Sequence, residues 1–180
     1  MEYEGEFLYN KKWNGKGYDE NNNIIYELIN GNGRVKEYDY EGELLFEGEF
    51  LGGERWKGKG KEFNIHNILI YEGEYIYGNR NGKGKKYNVN GNLEYDGEFS
   101  VNERNGKGKE YYDNGKLKFE GEFLNNKKWI GKEKEYYKNG KLKFEEEYLN
   151  GEINGKVKEY YDNGKLKFDG EYINGKKMKK

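Results

Sequence analysis

Residues Tyr111–Phe123 read YYDNGKLKFEGEF, and the fold can be argued outward from this stretch. Leu117, Phe119, Gly121 and Phe123 fall on one side of a two-residue alternation, with Lys118, Glu120 and Glu122 on the other. That pattern predicts a β-strand with one apolar and one wet face. Just upstream, Asn114-Gly115 predicts a hairpin turn, because Asn-Gly tolerates the positive φ angles that tight turns require. Downstream, a turn-prone stretch leads to a second strand, Gly131–Tyr137 (GKEKEYY).

The strand signature recurs as aromatic-acidic-Gly-Glu-aromatic at Tyr3–Phe7, Phe46–Phe50, Tyr71–Tyr75, Tyr95–Phe99 and Phe168–Tyr172. Phe144–Tyr148 (FEEEY) carries it with Glu146 in place of Gly. From Phe46 onward the copies start 25, 24, 24, 25 and 24 residues apart. YELIN at Tyr26–Asn30 reads as a degraded copy, about four residues short, which makes eight repeats with the last one truncated. Further Asn-Gly steps stand at Asn90-Gly91, Asn139-Gly140 and Asn163-Gly164. Each repeat is therefore one β-hairpin, and the chain is an all-β antiparallel meander. Roughly fifteen strands at ~4.8 Å each predict an elongated array about 70 Å long. Each repeated Gly lies between two aromatics on one face, where a ring can cross bare backbone. A thin aromatic seam then replaces a thick core, with Lys and Glu pairing across strands on the wet face.

Composition agrees. The 180 residues hold 33 Lys and Arg against 34 Asp and Glu, with a mean hydropathy of −1.33. Chains so polar are commonly disordered, yet 17% aromatic content argues for order. There is no Cys, one His (His66) and one Ser (Ser100), which excludes disulfides, thiolate chemistry, a His metal cluster and a Ser–His pair. No cofactor is expected, and most side-chain catalysis is ruled out. No run approaches the ~20 apolar residues of a membrane span. The acidic, alternating start MEYEGEFLYN is not a signal peptide, so a cytoplasmic protein is expected, with a membrane-peripheral or virion-associated placement compatible.

Tyr-x-Gly-x-aromatic, a turn and Gly-x-Gly, recurring over Tyr3 to Gly175, resembles the MORN repeat family, and the later repeats resemble its variant form from bacterial proteins. Residues 176–180 form a basic tail beyond the array. The departures are Glu146, and Val35, Glu133 and Val157 at the second Gly of Gly-x-Gly. The resemblance implies an elongated, single-layer antiparallel sheet, non-enzymatic and used in scaffolding, dimerisation or phospholipid association.

Two surfaces stand out as interaction candidates. Seven residues separate the aromatic strand from the Gly strand in the first, third and sixth repeats, and six in the fourth, fifth and seventh. Each Trp occupies the sixth place of a seven-residue segment, after a base: Lys11-Lys12-Trp13, Arg55-Trp56 and Lys127-Lys128-Trp129. Read as projecting loops, these suit an acidic protein surface or an anionic lipid interface. The bland alternative folds each Trp back as a local lid with the base stacked on it. The Lys pairs of the second strands (Lys107/Lys109, Lys132/Lys134) face matching Glu and read as a charge-paired surface. With a pI near 6.1, nucleic acid is not an expected partner. The second candidate is a terminal edge, Tyr3, Gly5 and Phe7 at one end and Phe168, Gly170 and Tyr172 at the other. The final repeat is read as lacking a second strand, and an uncovered edge invites a homodimer. The expected function is a non-catalytic scaffold for protein partners that also self-associates. A lipid-binding module and an antitoxin-like immunity protein are the alternatives.

Overall fold

The computed structural model describes residues 2–178, and every element in that span is a strand. In chain order they are β1 Glu2–Leu8, β2 Lys11–Tyr18, β3 Ile24–Leu28, β4 Gly33–Tyr38, β5 Leu44–Leu51, β6 Glu54–Phe63, β7 Leu69–Ile76 and β8 Asn79–Tyr87. They continue as β9 Leu93–Ser100, β10 Glu103–Tyr111, β11 Leu117–Leu124, β12 Lys127–Tyr136, β13 Leu142–Leu149, β14 Glu152–Tyr160, β15 Leu166–Ile173 and β16 Lys176–Lys177. Two compact units divide the chain. The first runs to Lys85 and adds Val89–Gly91 and Ser100–Asn102; the second holds Lys86–Asn88, Asn92–Phe99 and the described residues from Glu103 onward. Within each, strands pair antiparallel with their chain neighbours, so the predicted single-layer meander is the observed fold.

The first unit is interrupted at the degraded repeat. β1, β2 and β3 form one sheet, β4 opens another, and only an isolated bridge, Ile29↔Asn32, joins β3 to β4. Aligned on their turns, Tyr26–Val35 lacks a Gly-Glu step before the turn and a base-Asn step after it, relative to Tyr71–Gly84. Two residues are thus missing from each arm, which keeps every remaining side chain on its face. Tyr26, Leu28 and Val35 stay in the core, at 4%, 1% and 1% exposure.

All eight repeats turn between their strands on two consecutive positive-φ residues, for example Gly52-Gly53 (61°, 78°) and Asn125-Asn126 (48°, 67°). This is the two-residue turn whose twist matches paired strands. It overturns the expectation of long Trp loops. Lys11, Lys12 and Trp13 begin β2, Arg55 and Trp56 lie early in β6, and Lys127, Lys128 and Trp129 begin β12. The extra residue of the seven-residue segments is taken up inside the ladder: Glu122↔Ile130 is followed by Phe123↔Lys128, and Glu49↔Lys57 by Phe50↔Arg55. Trp129 and Trp56 are the unpaired residues of those β-bulges, and Trp13 falls in the same step between Gly5↔Gly15 and Phe7↔Lys12. In the six-residue segments the irregularity falls at a glycine instead, with Gly82, Gly106 and Gly155 at φ 84°, 99° and 115°. There the second Glu of the aromatic strand accepts the next backbone N–H: Lys83 to Glu74 at 3.0 Å, Lys107 to Glu98 at 2.9 Å, Lys156 to Glu147 at 2.9 Å.

The turns between repeats also differ from expectation. Asn90, Asn114, Asn139 and Asn163 keep negative φ, and only the Gly that follows each is left-handed. The turn is longer than a two-residue hairpin: Tyr112 N–H reaches the Lys116 carbonyl at 2.9 Å and Gly115 N–H returns to the Tyr112 carbonyl at 2.8 Å. This is a type I turn closed by a left-handed residue. A further correction concerns the last repeat, which does have a second strand. β16 pairs with β15 through Tyr172↔Lys177 and Ile173↔Lys176, so Tyr172 is not on an open edge. Lys179 and Lys180 of the basic tail lie outside the described residues.

The core is the seam of rings. Phe46, Tyr71, Tyr95 and Phe119, the first aromatics of their repeats, are fully buried. Each meets the second aromatic of its own repeat (Phe119–Phe123 at 5.0 Å), and Phe46, Tyr95 and Phe119 also meet that of the next (Phe119–Tyr148 at 5.8 Å), mostly edge to face. Each such pair adds ~0.5–1.5 kcal/mol to simple burial. The ring lies across paired glycines, as the sequence predicts: a Cβ on Gly48 would sit 2.6 Å from Gly58 Cα and 2.7 Å from the Phe46 ring.

Candidate functional site

The aromatic face carries a charged cover that its sequence does not advertise. Five residues after the second aromatic stands Lys12, Arg55, Arg80, Arg104 or Lys128 in the first, third, fourth, fifth and sixth repeats. Each cation lies over a ring: Arg55 is 4.8 Å from the Phe46 centroid, Arg80 4.5 Å from Tyr71, Arg104 5.1 Å from Phe123 and Lys128 5.5 Å from Phe119. Three also reach a carboxylate near the end of the preceding repeat. Arg55 meets Glu37 at 2.8 Å, Arg80 meets Glu62 at 2.5 Å, and Lys128 meets Glu110 at 3.7 Å as well as its own repeat's Glu133. Where Lys86 takes the place of that carboxylate, Arg104 turns to Glu110 of its own repeat at 3.2 Å.

Electrostatics follow from this packing. Burial pushes Glu62 upward, but hydrogen bonds from Arg80 and Tyr75 outweigh it and hold the carboxyl below its ordinary value. Glu110 behaves alike, burial being outweighed by Lys118, Lys128 and Arg104. Burial also drives the Tyr95 phenol up to about 12. The opposite face carries the expected ladder of exposed pairs, such as Lys109–Glu120 at 3.0 Å, Lys132–Glu147 at 3.5 Å and Lys134–Glu145 at 3.6 Å. Pairs this exposed add little stability, about 0–1 kcal/mol each.

The Trp/Lys candidates are therefore not free bases beside projecting indoles. Lys12 donates to the Tyr26 hydroxyl at 2.9 Å and lies over Tyr3 and Tyr26, while Lys11 pairs with Glu54 at 2.8 Å. Each indole is half-buried against the next repeat's turn. A Cβ on Gly31 would come within 2.8 Å of Trp13, Trp56 lies 6.4 Å from Tyr77, and Trp129 flanks Gly151. The Trp carbonyls receive N–H bonds from Gly31 at 2.8 Å, Tyr77 at 2.5 Å and Gly151 at 3.0 Å. The bland alternative had the right idea about the indole but the wrong ring for the base, which covers Phe or Tyr. Lys127 alone of the set stays exposed and unpaired among the described residues. Arg80 and Arg104 escaped the Trp-centred reading; the constant five-residue offset was the signal that could have found them.

In the seventh repeat the seam opens. Glu133 and Glu146, two of the departures from Gly, are cross-strand partners, Glu133↔Glu146, on the aromatic face. With Cβ atoms where glycines normally meet, Phe144 is half-exposed, whereas its counterparts Phe46, Tyr71, Tyr95 and Phe119 are fully buried. A groove of about 550 Å³ results, lined by Phe144, Tyr112, Tyr136, Glu133, Glu135 and Glu146, with Lys116 from the adjoining turn. Burial raises the Glu146 carboxyl, and Glu133 and Glu135 push it further in the same direction.

At the first-unit edge, β1 has a strand neighbour on one side only, and Phe7 is 61% exposed where Phe50 and Tyr75 are buried. Among the described residues no group of His, Cys, Asp and Glu could hold a metal ion, and no helix is long and apolar enough to cross a membrane.

Fold and surface together define a β-hairpin repeat protein. Residues 104–125, 130–150 and 153–174 each match the MORN repeat variant, a non-enzymatic repeat type associated with protein and membrane interaction. The matched span begins in β10, just before the first turn that opens on Tyr rather than on Asp or Asn. A comparison with curated proteins found no match.

Proposed function

We propose that this chain is a non-catalytic scaffold that binds a protein partner along its turn edge and associates with a second copy through β1. The observation that carries the reading is a row of aliphatic side chains left in solvent. Leu124, Leu149 and Ile173 occupy the same strand position in successive repeats of the second unit and are 40%, 43% and 48% exposed. Leu51 holds that position in the first unit at 54%. Aliphatic groups repeated in register beside a charged ladder suit an extended protein partner, apolar at the contact and polar around it. Engagement of Lys12, Arg55 and Lys128 with rings and carboxylates argues against a phosphate-binding surface, which needs free bases. Phe7 supports self-association, since its ring is exposed on an edge strand.

The deciding experiment immobilises the chain and a Leu124→Glu, Leu149→Glu, Ile173→Glu variant, and identifies what each retains from lysate of the native cell. A partner retained by the chain and lost with the variant is expected. Equal retention by both would remove the turn edge from the reading. Sedimentation with anionic vesicles, abolished by salt, would replace the protein scaffold with a lipid-binding module.

A further inference from the structure

We infer that the groove of the seventh repeat takes a basic side chain, Arg or Lys, from a partner polypeptide; this rests on the scaffold reading above and gives the partner a chemistry. The chain itself supplies the template. In five repeats a Lys or Arg five residues beyond the second aromatic covers a ring and reaches a carboxylate or a phenol. In the seventh that residue is Ile153, held in the same register opposite Tyr148. The ring is present as Phe144, and the carboxylate of the preceding repeat as Glu135. Glu146 adds a second acid directly beside them.

Lys138 also lines the groove, but the ion pairs formed there leave one acid without a direct partner. Glu135 pairs with Lys143 at 2.7 Å, and Lys143 also stands 5.2 Å from the Phe144 centroid, on the turn side. Glu133 is held by Lys128, and Lys116 stands over Tyr136 at 4.7 Å while donating to the Gly140 carbonyl. Glu146 has no ion pair or hydrogen bond among the described residues. An acid without a counter-ion, in an aromatic-walled groove, complements a guanidinium or ammonium, which gains from both ring faces and charge. The Gly-to-Glu change and the base-to-Ile change fall in the same repeat, so the added acid and the loss of the base at that position occur together.

The test uses the full chain, ¹⁵N-labelled, titrated with the blocked tripeptide acetyl-Gly-Arg-Gly-amide and with its citrulline counterpart, which keeps the shape and loses the charge. The Arg peptide is expected to shift the amides between Glu133 and Glu146 saturably, and the citrulline peptide to leave them unmoved. Ile153→Arg, which furnishes the cation internally, and Glu146→Gly, which restores the ordinary repeat, should each weaken Arg-peptide binding at least tenfold. Lys127→Ala should not. Unchanged spectra outside the seventh repeat confirm folding, and if Glu146→Gly does not fold, Ile153→Arg alone decides. Citrulline binding equal to arginine, or Ile153→Arg binding like the unaltered chain, would overturn the inference. Partner capture that persists while the peptide fails sinks only this groove, whereas peptide binding without any captured partner sinks the scaffold reading.

Discussion

Replacing Glu110 with Gln should destabilise the protein by about 2 kcal/mol at neutral pH and by progressively less as pH falls below the ordinary carboxylate value. The Glu110 side chain is 12% exposed and lies 3.2 Å from Arg104, 3.4 Å from Lys118 and 3.7 Å from Lys128. At an effective dielectric of about 20, each pair has a gross attraction of about 5 kcal/mol. Withdrawing the carboxylate and three cations from water returns most of that, leaving the ~1.5–3 kcal/mol typical of a hydrogen bond to a charged group. Glutamine keeps the shape and loses the charge, so it reports the charge alone. The sign is set by the depressed folded-state value of Glu110, below the ordinary 4.5. The stabilisation is complete above the unfolded value, and it is lost as pH falls through the folded one. Thermal unfolding of both proteins from pH 7 to pH 3 measures it. A 2 kcal/mol difference corresponds to about 4–8 °C in a chain of this size, and the gap should narrow only once pH falls below the ordinary 4.5. A gap of equal width at pH 3, or none at pH 7, would refute the assignment of Glu110 as the ionic centre of that repeat.

Two further outcomes are expected. Gly121→Ala should cost ~1–3 kcal/mol or more in urea unfolding, because its Cβ would meet the Ile130 carbonyl oxygen at 2.2 Å and Gly131 Cα at 2.6 Å; a neutral result would mean that the two strands separate freely. Light scattering after size exclusion should show a dimer that a Tyr3→Pro, Phe7→Pro variant reduces to monomer, and a strict monomer at high micromolar concentration would remove β1 as an interface.

Much of the architecture was legible because it rests on local rules that the chain repeats. The alternation of Leu117, Phe119, Gly121 and Phe123 with charged residues placed both faces correctly, and the paired glycines located the rings. What escaped was the consequence of a bulge. Counting by twos from Gly131 puts Trp129 on the aromatic face and Lys128 on the wet one. The extra residue in β12 shifts that parity, so Lys128 joins the face of Phe123 and covers Phe119. A seven-residue segment looks the same in sequence whether it forms a loop or a two-residue turn plus a bulge. The Glu133–Glu146 contact was hidden for another reason. Each residue was visible as a departure, but only the register of β12 on β13 brings the two together.

The cations of the aromatic face also bear on what can be cut and rejoined. Arg55, Arg80 and Lys128 each cover a ring of their own repeat and lean on an acid of the one before. The interchangeable module is thus out of phase with the written period: it opens on the closing carboxylate of one copy and ends before the corresponding carboxylate of the next. A graft cut at the aromatic strand would orphan an acid on one side and a base on the other. A graft cut just before Glu62 would carry its ionic contacts whole, whereas a cut before Glu110 would part it from Arg104.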